Sequence, residues 1–256
     1  MIYVVLGIGF SGTTLISELL HHSGVAMIDG EMDRYDSGGK YEHPGFQGMN
    51  KALLGLTNDQ VTQLHPQQCP AGLSSVQRDR MLELVHRQTD HHENWGFKDP
   101  RTVVTYPLWR DVLPPHKSVA IYRDPAGSWP RHRWQGYRRR YVNAWRACGY
   151  LRRWCEYHEA ILRYAEDLGE NLLLLNYERM MVSDEELARL RDFVSRDIED
   201  RRRCSMYRSR STGEMPFRLI RAVMDKASRW RPQETMSGLE THRAAQIDGN
   251  SGHGTS

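Results

Sequence analysis

The residues of clearest chemical promise stand at the start of the chain. An apolar run over residues 2–6 leads into Gly7-Ile8-Gly9-Phe10-Ser11-Gly12-Thr13-Thr14. The three glycines spell GxGxxG, which permits a tight turn and a close approach of backbone to a pyrophosphate at a helix N-terminus. The same stretch spells Gly7-(x4)-Gly12-Thr13-Thr14, most of a loop whose inward N–H groups and hydroxyls surround a phosphate. The dinucleotide reading needs an acid roughly 20 residues further on, for a ribose hydroxyl. Asp29 and Glu31 both stand near that place. The phosphate reading lacks the lysine of GxxxxGK[ST], because Thr13 takes its position, and no acid for Mg²⁺ follows an apolar strand. Hydrolysis of ATP or GTP is therefore disfavoured. Ser11 does not fit the GxSxG elbow of serine hydrolases either.

Charge distribution points the same way. The net charge is only +3, but residues 101–153 carry twelve Lys/Arg against two acids, Asp111 and Asp124. A second basic block covers residues 196–231. Two arginine-rich blocks suggest a bound anion, against the alternative of a solvated basic face. Cys69, Cys148, Cys155 and Cys204 form no CxxC pair and no zinc-finger set, so reduced thiols in a cytoplasmic compartment are expected. His21-His22 and His91-His92-Glu93 read as exposed histidines near helix ends rather than metal ligands. No apolar run is long enough to span a membrane. The first strand begins so close to Met1 that no signal peptide or anchor is expected.

These residues need a scaffold, and the pattern supplies one. Residues 2–6, 25–28, 94–98, 118–122 and 171–176 read as strands, and residues 13–22, 50–56, 76–88, 103–113, 142–168 and 184–194 as helices. A further helix follows Pro125. Strand, glycine loop, helix, strand is the opening of an α/β fold. Residues 29–48 read as a loop over the sheet edge. Residues 1–231 form one domain in this reading, and residues 232–256 a polar, disordered tail. Of Trp129, Trp134, Trp145 and Trp154, at least two are expected in the core, with ring stacking on a ligand as the alternative.

At Ser11-Gly12-Thr13-Thr14-Leu15 the chain resembles the sulfotransferases that use 3′-phosphoadenosine 5′-phosphosulfate (PAPS) and release its desulfated product, PAP. Three later segments are similar to the same family, in its order: WGFKDPR (residues 95–101), SVAIYRDP (118–125) and LLLLNYERM (172–180). The closest branch in pattern is the bacterial and tyrosylprotein type. The resemblance implies a P-loop-like three-layer α/β fold with a central, mainly parallel sheet flanked by helices. It implies PAPS as donor, a sugar or small-molecule hydroxyl as acceptor, no metal and no nucleic-acid partner. Residues 131–141, RHRWQGYRRRY, then line the cleft of donor and acceptor instead of binding RNA.

In-line sulfuryl transfer needs a general base, a cation at the leaving oxygen and oriented donors around the phosphate. The resemblance assigns Gly9, Phe10, Ser11, Gly12, Thr13 and Thr14 to the phosphosulfate and Lys98 to the bridging oxygen. It assigns Arg123 to the 3′-phosphate, with Ser128 or Arg131 beside it. It gives the base as Glu31, 20 residues after Ser11 in DGEMDRYD, with Glu42 of KYEHPGF in reserve. Pro100 holds the place where many of these enzymes have a histidine. Arg34, Tyr41, Glu42 and Arg101 are the acceptor-side candidates, and Arg101 could also serve the donor. Phe10 departs from the family, which places Arg or Lys there. That departure motivates a second reading, a non-catalytic nucleotide- or polyanion-binding protein on the same fold. A GxGxxG oxidoreductase is the third.

Overall fold

The computed structural model describes residues 1–29, 34–35, 38–39, 41–57, 64–132, 140–203 and 215–251. Strand β1 (Ile2–Leu6) leads through the glycine turn into α1 (Thr13–His22). A short antiparallel pair, β2 (Arg34–Tyr35) and β3 (Gly38–Gly39), precedes α2 (Pro44–Leu53) and α3 (Ser75–His91). Then come β4 (Trp95–Lys98), α4 (Thr102–Arg110), β5 (His116–Tyr122), α5 (Pro125–His132) and α6 (Arg140–Leu168). Strand β6 (Leu172–Asn176) is followed by α7 (Tyr177–Val182), α8 (Glu185–Val194), α9 (Met215–Ala227) and α10 (Pro232–Ser251).

Among the described residues the main sheet runs β4-β1-β5-β6, every pair parallel. Its strands are apolar throughout because helices cover both faces. The side-chain period of two divides them. Ile2, Val4 and Leu6 join Phe97, Ala120 and Leu174 in one core, which also takes Phe46 from α2, Trp109 from α4 and Trp154 from α6. Tyr3 and Val5 join Val119, Ile121 and Leu175 in the other, closed by Leu19 of α1 and Leu190 of α8. The three-layer α/β fold with a parallel sheet is the one expected.

The chain leaves β1 for β4 on one side and returns to β5 on the other. Such a reversal opens a crevice at the carboxyl ends of the strands. Register puts Lys98 beside Val5 and Tyr122 beside Asn176 at that edge.

Three expectations change. Residues 29–48 are not loop throughout: β2 and β3 fall within them, and α2 begins at Pro44. Residues 25–28 make no strand: Ala26 forms an isolated bridge to Trp95, and the chain then turns away to Asp29, which is bonded by side chains off the sheet. Most of the polar tail is a helix, α10, which packs on α6 and β6 with Leu239 and Arg243 buried. Its inner positions include Thr235 and Arg243, so hydrophobic periodicity does not reveal it. Residues 252–256 lie outside the described residues. Trp129 and Trp154 are core residues, as two of the tryptophans were expected to be; Trp145 is exposed, and Trp134 lies outside the described residues.

Candidate functional site

The glycine turn is shaped by space as much as by torsion. Gly12 sits at φ +109° directly before α1, and a Cβ there would collide with the Tyr177 ring from α7. A Cβ at Gly7 would meet Ser11 Oγ at 2.6 Å and the Ile121 carbonyl at 2.9 Å. Around Gly9 the space is open. Ser11 is fully buried, and its hydroxyl has no hydrogen-bond partner among the described residues. The Leu15 and Ile16 N–H groups donate to the Gly12 carbonyl, while those of Thr13 and Thr14 stand ahead of any acceptor within the helix. Thr13 is buried and Thr14 exposed. A buried hydroxyl, open backbone donors and no acid in the first turn make a cradle for an anion. Phe10 stands half-exposed at the tip with φ +67°, a left-handed conformation that L side chains seldom adopt.

Lys98 ends β4 with its side chain almost wholly buried, and its Nζ donates to Glu42 Oε1 at 2.6 Å. The other Glu42 oxygen accepts from Gln47 Nε2 at 3.0 Å. The reserve carboxylate is thus the one beside the lysine. Glu31 lies outside the described residues, and so do the side chains of Arg34 and Arg131, whose backbones belong to β2 and α5.

Neighbouring residues have other tasks. Asp99 Oδ1 accepts from the Arg101 backbone and Oδ2 from Arg101 Nη1 at 2.6 Å, which fixes the start of α4. Burial pushes the Asp99 carboxyl up to about 6, against the opposing pull of Arg101. Arg101 is buried in that pair. Tyr41 turns into the core on α1 and hydrogen-bonds His22 Nε2 at 3.1 Å. Asp29, one of the two acids near the place a dinucleotide site would require, binds Gln88, His43 and His92. Burial alone would raise its carboxyl, but those three hydrogen bonds outweigh it and bring the value down to about 2.

Arg123 lies just past β5, its guanidinium 4.5 Å from the centre of the Tyr177 ring. Glu178 Oε1 is 3.6 Å from Arg123 Nε. A Cβ at Gly127 would approach that nitrogen to 2.9 Å, so α5 begins tight against the arginine. Ser128 is buried and shares a short hydrogen bond with the Tyr150 hydroxyl of α6. Sequence reasoning missed Tyr177 and Glu178 as partners of Arg123. The signal was in view as the Tyr-Glu that ends LLLLNYE, without a role attached.

Residues 3–200 match the model of the sulfotransferase family. The chain belongs to that family. Sulfuryl transfer is thus its general reaction, and this sulfotransferase acts on a sulfate donor and an acceptor. Among solved structures it is similar to the sulfotransferase domain from the Synechococcus PCC 7002 olefin synthase, at 18% identity over 94% of this chain and 93% of that one, with a TM-score of 0.49. No curated protein matches the sequence significantly. Among the described residues no helix is long and apolar enough to cross a membrane, and no group of His, Cys, Asp and Glu could hold a metal ion.

Proposed function

We propose that the chain transfers a sulfuryl group from PAPS to a hydroxyl of a carbohydrate or small-molecule acceptor by in-line displacement. The observation that carries this reading is the buried Lys98–Glu42 pair at the strand edge that also bears the glycine turn. PAPS supplies a sulfuryl group activated by its phosphate leaving group. The Ser11 hydroxyl and the N–H groups of residues 12–14 hold the 5′-phosphosulfate. Arg123 holds the 3′-phosphate, steadied from below by Tyr177. Lys98 stabilises charge on the bridging oxygen, and the absence of a cation at Phe10 makes it the main cation there. Glu42 takes the acceptor proton, since its carboxylate already lies beside the lysine.

PAP should raise the melting temperature of the wild type and of Lys98→Ala alike. Lys98→Ala should cut transfer by about 10²- to 10³-fold, the usual cost of one donor at developing charge. Glu42→Gln should cut it similarly while Glu31→Gln leaves it intact; the reverse result would move the base to Glu31. No thermal shift with PAPS or PAP overturns the proposal. A wild type that binds PAP but never transfers would favour the binding-protein reading, which Phe10 motivates.

A further inference from the structure

We propose that the outward face of α9, with Trp145 of α6 beside it, docks the protein on the surface of an anionic lipid bilayer. Helix α9 belongs to the second basic block, residues 196–231, none of whose residues the transfer reading uses.

The helix has two faces. Phe217, Ile220 and Met224, at i, i+3 and i+7, pack inward on the core. The Phe217 ring lies 5.1 Å from that of Trp129 and 6.3 Å from that of Tyr150. Arg221 and Asp225 are turned to other parts of the fold: Arg221 donates to Asp124 at 3.0 Å, and Asp225 accepts from the Gln233 N–H at 2.8 Å. The opposite arc holds Arg218, Leu219, Ala222, Val223 and Lys226, all exposed. Leu219 is 61% exposed and Val223 63%. A surface helix ordinarily fills such an arc with polar side chains. Here two aliphatic side chains one turn apart are bracketed along the helix by two cations, and no acid of α9 shares the arc.

Helix α6 packs against α9 and extends the surface. Trp145, 81% exposed, lines the cavity between them with Met224, Ser228 and Trp230, so its indole rises on the α9 side of α6. Arg152 and Arg229 lie 4.3 and 4.8 Å from the centre of the Trp230 ring, and both are exposed. Single apolar residues on a surface need no explanation, but neighbouring ones set among cations do. A layer of anionic headgroups over acyl chains answers every part of this surface. Leu219 and Val223 enter the acyl boundary, the indole sits at headgroup level, and the cations meet phosphates. With 13 residues α9 is too short to span a bilayer, so it lies in the plane of the interface. A second copy docked through the same face would set cations against cations. A soluble acidic chain answers the cations but not the aliphatic pair.

The test is cosedimentation of the full chain with vesicles of phosphatidylcholine alone and with vesicles in which phosphatidylserine makes up about a third of the lipid. Binding to the anionic vesicles should exceed binding to the neutral ones at least about ten-fold and should fall at high salt. Tryptophan emission should shift to the blue on binding, and Trp145→Phe should remove most of that shift. Leu219→Glu and Val223→Glu change exposed positions on which folding does not depend, and each should weaken binding about ten-fold. Val76→Glu makes the same change at an exposed valine of α3 and should bind as the wild type does. No binding to anionic vesicles, equal binding to neutral ones, an unchanged blue shift in Trp145→Phe, or equal losses in Val76→Glu and Leu219→Glu overturns the proposal. Ultracentrifugation and polyglutamate binding are measured in parallel. Without vesicle binding, a dimer that Leu219→Glu breaks assigns the face to a second copy, and polyglutamate binding that Leu219→Glu abolishes assigns it to an acidic protein; either result overturns lipid docking.

Discussion

Glu178 sets the charge that an anion meets at Arg123. Burial pushes its carboxyl up to about 7; Arg123 opposes this, and the carboxylate of Asp124 adds to it. Below that pH Glu178 is neutral and leaves the guanidinium charge uncompensated. Above it a carboxylate stands 3.6 Å from Arg123 Nε. PAP affinity should therefore fall as pH rises through about 7, and Glu178→Gln should flatten that dependence in a calorimetric pH series. The same group lowers stability as pH rises from its unfolded value of 4.5 to about 7, because over that window the folded state binds more protons. At this scale the family resemblance pointed to Lys98 and Arg123, which the fold places at the end of β4 and just past β5. It could not announce Glu42 as the partner of Lys98, since 56 residues separate them and only the fold joins them.

Helix α2 shows how an element can position the carboxylate proposed as the base. His43 is its N-cap: Nδ1 accepts from the Gly45 N–H at 3.0 Å, and Nε2 bonds Asp29 at 3.0 Å. A neutral imidazole with its proton on Nε2 satisfies both contacts. Glu42 precedes this cap directly, so the Asp29–His43 link fixes the backbone from which Glu42 reaches Lys98. His43→Ala should cost about 1 kcal/mol of stability through the lost cap. His43→Asn keeps a side-chain oxygen for the cap but loses the Asp29 link. It should restore melting temperature without restoring turnover, a split that a purely structural role would not give. The contacts to Asp29 stabilise the fold above its unfolded value of 3.8 and are lost as pH falls through about 2. The start of α2 was not legible in the sequence because its cap is a histidine, outside the usual Ser, Thr, Asp and Asn. The strands of the main sheet were legible, since burial on both faces makes each a short apolar run; β2 and β3, in the stretch read as a loop, were not. Residues 25–28 share that composition but pair only at Ala26, and composition alone does not report pairing.

Across the whole molecule, the sheet's carboxyl edge gathers the site, while its outer edge at β6 depends on α10. Gln246 imitates a neighbouring strand there: its Nε2 donates to the Leu172 carbonyl at 2.6 Å, and its Oε1 accepts from the Leu174 N–H at 3.0 Å. Arg189 adds a bond to the Leu174 carbonyl at 3.0 Å. Further along α10, Glu240 accepts from the Tyr122 hydroxyl at 2.6 Å and from Asn176 Nδ2 at 2.7 Å. Those two residues immediately precede Arg123 and Tyr177, so α10 braces the ends of both strands that carry the arginine and its aromatic support. Arg243 reaches the buried Glu186 of α8, which would otherwise lose one of its two cations. Gln246→Ala leaves a strand N–H and a carbonyl without their partner, a loss of about 1–3 kcal/mol. For a chain of this size that lowers the melting temperature by roughly 2–12 °C. The PAP-induced thermal shift should persist in this variant, because no donor-side residue is touched. Deletion of residues 232–256 removes Glu240, Arg243 and Gln246 at once and bares an apolar parallel edge, which is a template for pairing between chains. The truncated protein should show a lower melting temperature, a weaker PAP shift and growing light scattering on warming. An unchanged melting temperature after that deletion would mean that α10 merely rests on the sheet, and that Gln246 and Glu240 do not hold its edge.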